Sequence, residues 1–295
     1  MPLFARPSAS RYRLIFPANS WHDIAYALCV QPLQQSLVVP PNWTGIMRTS
    51  TTALFGVLIL CSCLKPANGC ENADALGTSR VLKVKTDITN GIGGSYPALP
   101  LSRGEIILTF DDGPLPATTP RILSVLAREC VHATFFMIGA RAKTSPDLVA
   151  SVRRAGHSLG NHSYSHRDLD KLPPDQAKAD IQRGYEAIEA AAFRAADTVK
   201  QHVRLFRFPS RKSTPELISF VRNRHGTIVS VDISPEDWRG QPANVTMERL
   251  HRLLDRRNKG ILLLHDNQRN TVELLPMLIA EIKARGMRIV HLVAE

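Results

Sequence analysis

From residue 104 onward the chain alternates short, apolar, β-rich runs with longer amphipathic stretches, and this alternation restricts the fold more than any other property of the sequence. The strand candidates are 105–110, 133–138, 157–160, 204–208, 227–232, 260–264 and 288–292. Helices between them begin at Thr119-Pro120, Ser145-Pro146 and Thr214-Pro215, where a hydroxyl can cap free amides and proline suits the first turn. Gly156, Gly226 and Gly286 supply the residue type that most easily turns left-handed at a helix end. Residues 174–200 are alanine-rich and suit a long outer helix, and Pro276 is expected to kink or delay the last one. Seven strands separated by helices imply an α/β fold with a parallel sheet and right-handed crossovers.

In such folds reactive side chains gather where strands end. Asp111 and Asp112 end the first strand, Arg207 the fourth, Asp232 the fifth and His265 the sixth, which points to one pocket. About fifty residues after the paired carboxylates comes His162-Ser163-Tyr164-Ser165-His166. Histidines at i and i+4 project from one face of a helix or helical turn. With one carboxylate they would form a three-ligand metal set that leaves positions open for water and substrate, and the other carboxylate would be free as a base. Either piece alone could equally be a surface turn or a solvated histidine pair; together they point to a metal-dependent hydrolase.

The amino-terminal third reads as processing information. Met47-Arg48-Thr49-Ser50 precedes an apolar run, Ala53 to Leu64, and then candidate cleavage sites at Ala67-Asn68-Gly69 and Ala73-Asp74-Ala75, the order of a secretory signal. That run falls well short of the roughly 20 residues that cross a bilayer, so no transmembrane span is expected. Leu60-Cys61-Ser62-Cys63 also resembles a lipoprotein box, which would tether the protein by a lipid on Cys63. The organisation expected is an extension over 1–46 that is non-native or disordered, a signal over 47–75, a lead-in over 76–103 and a folded domain over 104–295. The destination is periplasmic or secreted. Cys29, Cys61, Cys63, Cys70 and Cys130 do not read as a disulfide framework; after cleavage behind Ala75 only Cys130 remains, as a buried inert thiol. The formal charge of +11 at pH 7 is spread over helices without dense basic runs or interleaved aromatics, so a nucleic-acid partner is not expected.

Thr109-Phe110-Asp111-Asp112-Gly113-Pro114, His162-Ser163-Tyr164-Ser165-His166, Arg207-Phe208-Pro209, Asp237-Trp238 and Leu263-Leu264-His265 resemble, in order, the five signatures of the polysaccharide deacetylases, carbohydrate esterase family 4 or the NodB homology domain. The resemblance covers about residues 104–292. It implies a distorted seven-stranded β/α barrel, a (β/α)7 barrel in a single domain. It also implies that Asp112, His162 and His166 hold one divalent ion, usually zinc, with cobalt or another ion as alternatives. Asp111 would be the general base, Arg207 its orienting cation, and the backbone N–H of Ser210 an oxyanion donor. Family members often have Tyr or Gly where this chain has Ser210. His265 would protonate the leaving amine with Asp237 holding its ring, although Asp232 is a second candidate partner. Trp238 and Leu263 would wall the acetyl methyl group.

The reading is an N-deacetylase acting on an acetylated amino-sugar polymer or oligomer, with chitooligosaccharide first and peptidoglycan second. An O-acetyl xylan esterase using the same site, and a sugar-binding barrel that lost catalysis, are the alternatives. His132, His157, His202, His225, His251 and His291 match no signature and are read as structural or solvated.

Overall fold

In the computed structural model, which describes residues 70, 72–85, 93–94, 96–193 and 202–295, strands and helices follow one another as the alternation requires. The order is β1 (Thr78–Val84), β2 (Glu105–Asp111), α1 (Thr119–Arg128), β3 (Thr134–Met137), α2 (Gly139–Thr144), α3 (Pro146–Arg154) and β4 (Ser158–Asn161). Then come α4 (Pro174–Ala192), β5 (Leu205–Phe206), α5 (Pro215–Asn223), β6 (Thr227–Ile228), α6 (Ala243–Arg256), β7 (Gly260–His265), α7 (Arg269–Ala284) and β8 (Arg288–Ala294).

Every strand pairing in the sheet is parallel. β2 is central: β7 pairs with it from Ile106 to Asp111 and β3 from Thr109 to Asp111, while β8 joins at Glu105 and Ile106. The sheet continues through β4 and β5 to β6, after which the chain swings onto β7, where Ile233 bridges Leu262. The sheet thereby curls into a half-barrel whose two sides are joined by that isolated bridge, a distorted form of the (β/α)7 architecture, with β1 and β8 paired alongside it.

All seven residues of β2 are buried, and the pleat separates them into two cores. Ile106, Leu108 and Phe110 pack under the helices, whereas Ile107 joins Phe136, Leu205, Val229 and Ile261 inside the barrel. Thr109 and Asp111 continue the inward series, so the base candidate is the last inward residue of its strand. β7 repeats the arrangement: Leu262 and Leu264 face helices, and Ile261, Leu263 and His265 share the opposite face. Burying one such Leu, Ile or Phe contributes about 1.5–3 kcal/mol, which fixes strand register against a slip that would exchange the two faces.

Several sequence expectations need correction. An eighth strand, β1, pairs with β8 from within the region read as a lead-in, and Leu99 and Leu101 from that same region enter the inner core. Thr214 caps α5 through Leu217 N–H, but Ser145 makes no side-chain cap, and Thr119 instead accepts from Leu115 N–H and donates to Asp266. Gly156 and Gly286 are left-handed, whereas the left-handed turn after α5 falls on His225. Gly226 is required for space, because a Cβ there would meet the Val221 carbonyl oxygen at 2.8 Å. α7 begins at Arg269 and continues through Pro276, which neither delays nor ends it. α4 closes at Ala192, and residues 194–201 lie outside the described residues.

Cys130 is not a free thiol. It forms a disulfide with Cys70 across a 5.9 Å Cα–Cα separation, within the usual range for such a bridge. The flanking chain is tied down as well: Asn72 Nδ2 donates to the Arg128 carbonyl, Leu76 N–H to the Glu129 carboxylate and Gly77 N–H to the Glu129 carbonyl. Cys29, Cys61, Cys63, the extension over 1–46 and most of the proposed signal lie outside the described residues. Near the amino ends of β3 and β4, the rings of His132, His157 and His291 cluster, with His132 centred 5.8 Å from His157 and 5.3 Å from His291.

Candidate active site

The carboxyl ends of the strands bring most of the site candidates together. Asp111 and Asp112 follow from β2, with Asp112 in the left-handed region at φ 70°. His162 and His166 sit in the loop after β4, not on a helix, and Ser163 and His166 are both left-handed. The loop's folds replace the helical turn in aiming both rings inward. Asp180 on α4 accepts from Tyr164 and Ser165 N–H, and Ser163 Oγ accepts from His166 N–H. α4 approaches this closely because Gly184 has no side chain; a Cβ would fall 2.4 Å from Asn161 Oδ1.

Asp112, His162 and His166 offer ligand atoms that all lie within 4.8 Å of one another. His162 Nδ1 lies 2.8 Å from the Arg207 carbonyl, which can only accept, so Nδ1 carries the proton and Nε2 the lone pair. Burial lowers the His162 pKa to about 3, keeping the ring neutral as a ligand must be. Its Nε2 points at Asp112 Oδ1 from 3.6 Å, and His166 Nε2 approaches the same oxygen at 3.1 Å. That oxygen is buried without a hydrogen-bond partner. A lone pair aimed at an unpartnered carboxylate oxygen is repulsive unless a cation lies between them, so these residues fit a divalent ion.

Asp111 is 3% exposed and receives Arg207 Nη1 at 2.6 Å. Burial pushes its carboxyl above the ordinary carboxylate range, and Arg207 and His265 draw it back. Arg207 is itself 1% exposed, donates to Thr109 and to the carbonyls of Val229 and Ser230, and lies over the Phe136 ring. Five hydrogen-bond donors in a rigid fork suit this enclosed role.

Asp237, not Asp232, partners His265. Its Oδ1 lies 2.8 Å from His265 Nδ1, and its Oδ2 accepts from His265 N–H and the Thr271 hydroxyl. This leaves His265 Nε2 as the free nitrogen. Burial opposes charge on the ring, yet the bond to Asp237, aided by the charges of Asp111 and Asp112, raises its pKa above the ordinary value. Asp232 is committed elsewhere, accepting from Gly94 N–H, Ile261 N–H and Arg257. Leu263 is buried and two residues before His265 on β7, whereas Trp238 is 51% exposed on the short turn Asp237–Arg239. Ser210 is left-handed at φ 54°, and its hydroxyl donates to Asp168, which also holds Lys171 and Lys212.

The sequence between residues 99 and 227 matches the family model described as polysaccharide deacetylase. A chitooligosaccharide deacetylase of Rhizobium leguminosarum bv. trifolii is 36% identical over 161 residues, covering 55% of this chain and 71% of that protein. The chain belongs to the polysaccharide deacetylase family. The fold agrees with that of solved deacetylases: a peptidoglycan deacetylase of Bdellovibrio bacteriovorus superposes with a TM-score of 0.65 at 27% identity, covering 76% of this chain. This chain spans 61% of that structure. A CE4 family pseudoenzyme from Bacillus anthracis is also similar, with a TM-score of 0.58 at 26% identity and 64% of each chain covered. Membership of the polysaccharide deacetylases therefore establishes the scaffold, while activity has to be argued from the site.

Some residues around the deacetylase motifs escaped the sequence reading. Asp266 is fully buried beside Gly113, and Arg141 donates to the Asp112 carbonyl. Asp180 organises the histidine loop, and Asn267 Nδ2 approaches Asp112 Oδ2 at 3.4 Å. The one available signal was the acid directly after His265 at a strand end.

Proposed function

We propose that this polysaccharide deacetylase is a metal-dependent N-deacetylase of acetylated amino sugars, with chitooligosaccharide as first substrate and peptidoglycan as second. The observation that carries this reading is the unpartnered Asp112 Oδ1 facing two histidine nitrogens, with Asp111 and His265 beside it. A divalent ion bound there, zinc first and cobalt next for a two-histidine, one-carboxylate set, would supply Lewis-acid polarisation of the acyl oxygen and acidify a water.

The chain's own residues do the remainder. Asp111, oriented by Arg207, accepts the proton of the attacking water, and its raised pKa makes it a better base than an exposed carboxylate. His265 Nε2 donates a proton to the departing amine, with Asp237 stabilising the imidazolium. Ser210 N–H, on the left-handed turn that follows Pro209, would receive the oxyanion. Leu263, buried two residues before His265, and the half-exposed Trp238 would wall the acetyl methyl group. An inactive sugar-binding barrel, the reading favoured by likeness to a pseudoenzyme, would not need the complete set of base, three ligands and Asp237-supported acid found here.

Export is proposed with it. The order of charged, apolar and small residues before Cys70 supports a signal, and the Cys70–Cys130 disulfide supports an oxidising compartment. A lipid on Cys63 would precede the disulfide and is compatible with it.

The test measures acetate and free amine released from acetylated chitooligosaccharide and from peptidoglycan, after chelation and after restoring zinc or cobalt. Metal-dependent release of both products supports the reading. Acetate without new amine points to an O-acetyl esterase, and metal binding without release from either glycan rejects the deacetylase assignment.

A further inference from the structure

Asp266 is a buried acid to which the proposed chemistry gives no part. It is 0% exposed, directly follows His265, and its N–H donates to the Asp111 carbonyl at 2.7 Å. Its carboxyl meets two things. Thr119 Oγ1 lies 2.9 Å from Oδ1 and 2.8 Å from Oδ2, and the same hydroxyl accepts from Leu115 N–H. Against its other side lies Gly113, packed so closely that a Cβ there would fall 1.8 Å from Asp266 Oδ2. Gly113 does not have a positive φ, so the need for glycine is one of space and comes from this carboxyl.

The turn that carries Asp111 and Asp112 is fastened at several points. Asp112 N–H donates to the Phe136 carbonyl, Ile138 N–H donates to the Gly113 carbonyl, and Arg141 holds the Asp112 carbonyl. Asp266 and Thr119 supply the remaining support, joining the turn to the strand end that bears His265 and to the first turn of α1. The Asp266 N–H donates to the Asp111 carbonyl, while its carboxyl supports the turn by packing on Gly113 next to the ligand Asp112; residues behind metal ligands commonly set affinity and rate by factors of about 10–100.

We propose that Asp266 is a positioning residue: its carboxyl, anchored by Thr119 and packed on Gly113, holds Asp112 in its left-handed conformation for metal binding and aligns Asp111 beside it. This rests on the deacetylase reading only for its effect on rate; the effect on metal binding stands apart from it.

The experiment measures cobalt and zinc affinity of the chain by competition with a chelator, the melting temperature of the metal-free protein, and kcat and KM on acetylated chitooligosaccharide. Asp266→Ala is expected to weaken metal binding about 10-fold or more and lower kcat similarly, with KM little changed, while the metal-free protein remains folded. Asp266→Asn, which keeps the shape and an acceptor for Thr119, should restore most of both losses. Thr119→Val removes the anchoring hydroxyl at nearly constant volume and should shift both in the direction of Asp266→Ala. Gly113→Ala should be damaging alone and less so on top of Asp266→Ala, because the second change vacates the space.

Metal affinity and kcat unaltered in Asp266→Ala would overturn the proposal. Should that variant fail to fold, unaltered affinity in Thr119→Val would overturn it instead. Weakened metal binding in a protein whose wild type releases no acetate would support the positioning role and reject the deacetylase assignment.

Discussion

Asp111 and His265 are Cα partners on the adjacent parallel strands β2 and β7, so the carboxylate assigned as base and the imidazole assigned as acid leave the barrel side by side. Their pH dependences should bound activity from opposite sides. The rising limb of kcat/KM reports deprotonation of Asp111, and the falling limb reports loss of the His265 proton. Because the bond to Asp237 raises the His265 pKa, Asp237→Asn should move the falling limb to lower pH and reduce kcat roughly 10-fold or more. A pH–rate profile with an unmoved falling limb would remove His265 from the role of acid.

Asp111→Asn should lower kcat by about 10²–10⁴ while retaining one metal per chain, as judged by product release and metal analysis. Loss of the metal along with activity would instead make Asp111 a ligand.

Arg207 and Asp111 are a buried ion pair, 1% and 3% exposed, and neither tolerates isolation. Arg207→Met should destabilise the fold by about 3–5 kcal/mol, because Asp111 is left in the interior without its cation. Urea unfolding measures this, and a loss below about 1 kcal/mol would show the pair to be reached by solvent.

Acid should weaken the fold through the histidines at the amino ends of β3 and β4. Burial lowers the His157 pKa to about 3 and that of His291 to about 4, from an ordinary value of 6.5. Between those limits the unfolded chain binds protons that the folded chain refuses, so stability falls as pH drops from 6.5 toward 3, by up to about 1.4 kcal/mol per pH unit for each histidine. His157 Nδ1 accepts from Ala133 N–H, a bond that Asn can imitate. His157→Asn should show a flatter decline than wild type in parallel melts from pH 7 to pH 4; identical slopes would acquit His157.

The Cys70–Cys130 bridge closes 60 residues of chain. Breaking it by Cys130→Ser should cost about 2–5 kcal/mol. Under the proposed export, the mature protein should retain Cys70 at or after its first residue and resist thiol labelling until reduced, as intact mass before and after alkylation would show. Processing behind Ala75 would leave Cys130 labelled without reduction and would contradict the bridge.

The sequence by itself determined the alternation of strands and helices, and with it the barrel. Apolar runs such as Ile106-Ile107-Leu108 are buried on both faces, a local property that needs no knowledge of partners. It also marked the side chains to which the chemistry is assigned, since adjacent carboxylates and closely spaced histidines are legible within a few residues. β1 was harder to see: only Leu82 and Val84 of its seven residues are buried, and it pairs, among the described residues, with β8 at the far end of the chain.

Tertiary structure alone decided which groups face each other. Arg207 reaches Asp111 across 96 residues, Thr119 reaches Asp266 across 147, and Cys130 reaches Cys70 across 60. Asp232 and Asp237 are both acids near a strand end, and only the path of the loop gives Asp237 to His265 and Asp232 to Gly94, Arg257 and Ile261. The two histidines converge through left-handed loop residues braced by Asp180, not through helical spacing. The physical reason is common to these cases. Residue type and short-range spacing set what a segment prefers, whereas the direction of a side chain at a strand end depends on backbone turns and packing supplied by distant parts of the chain.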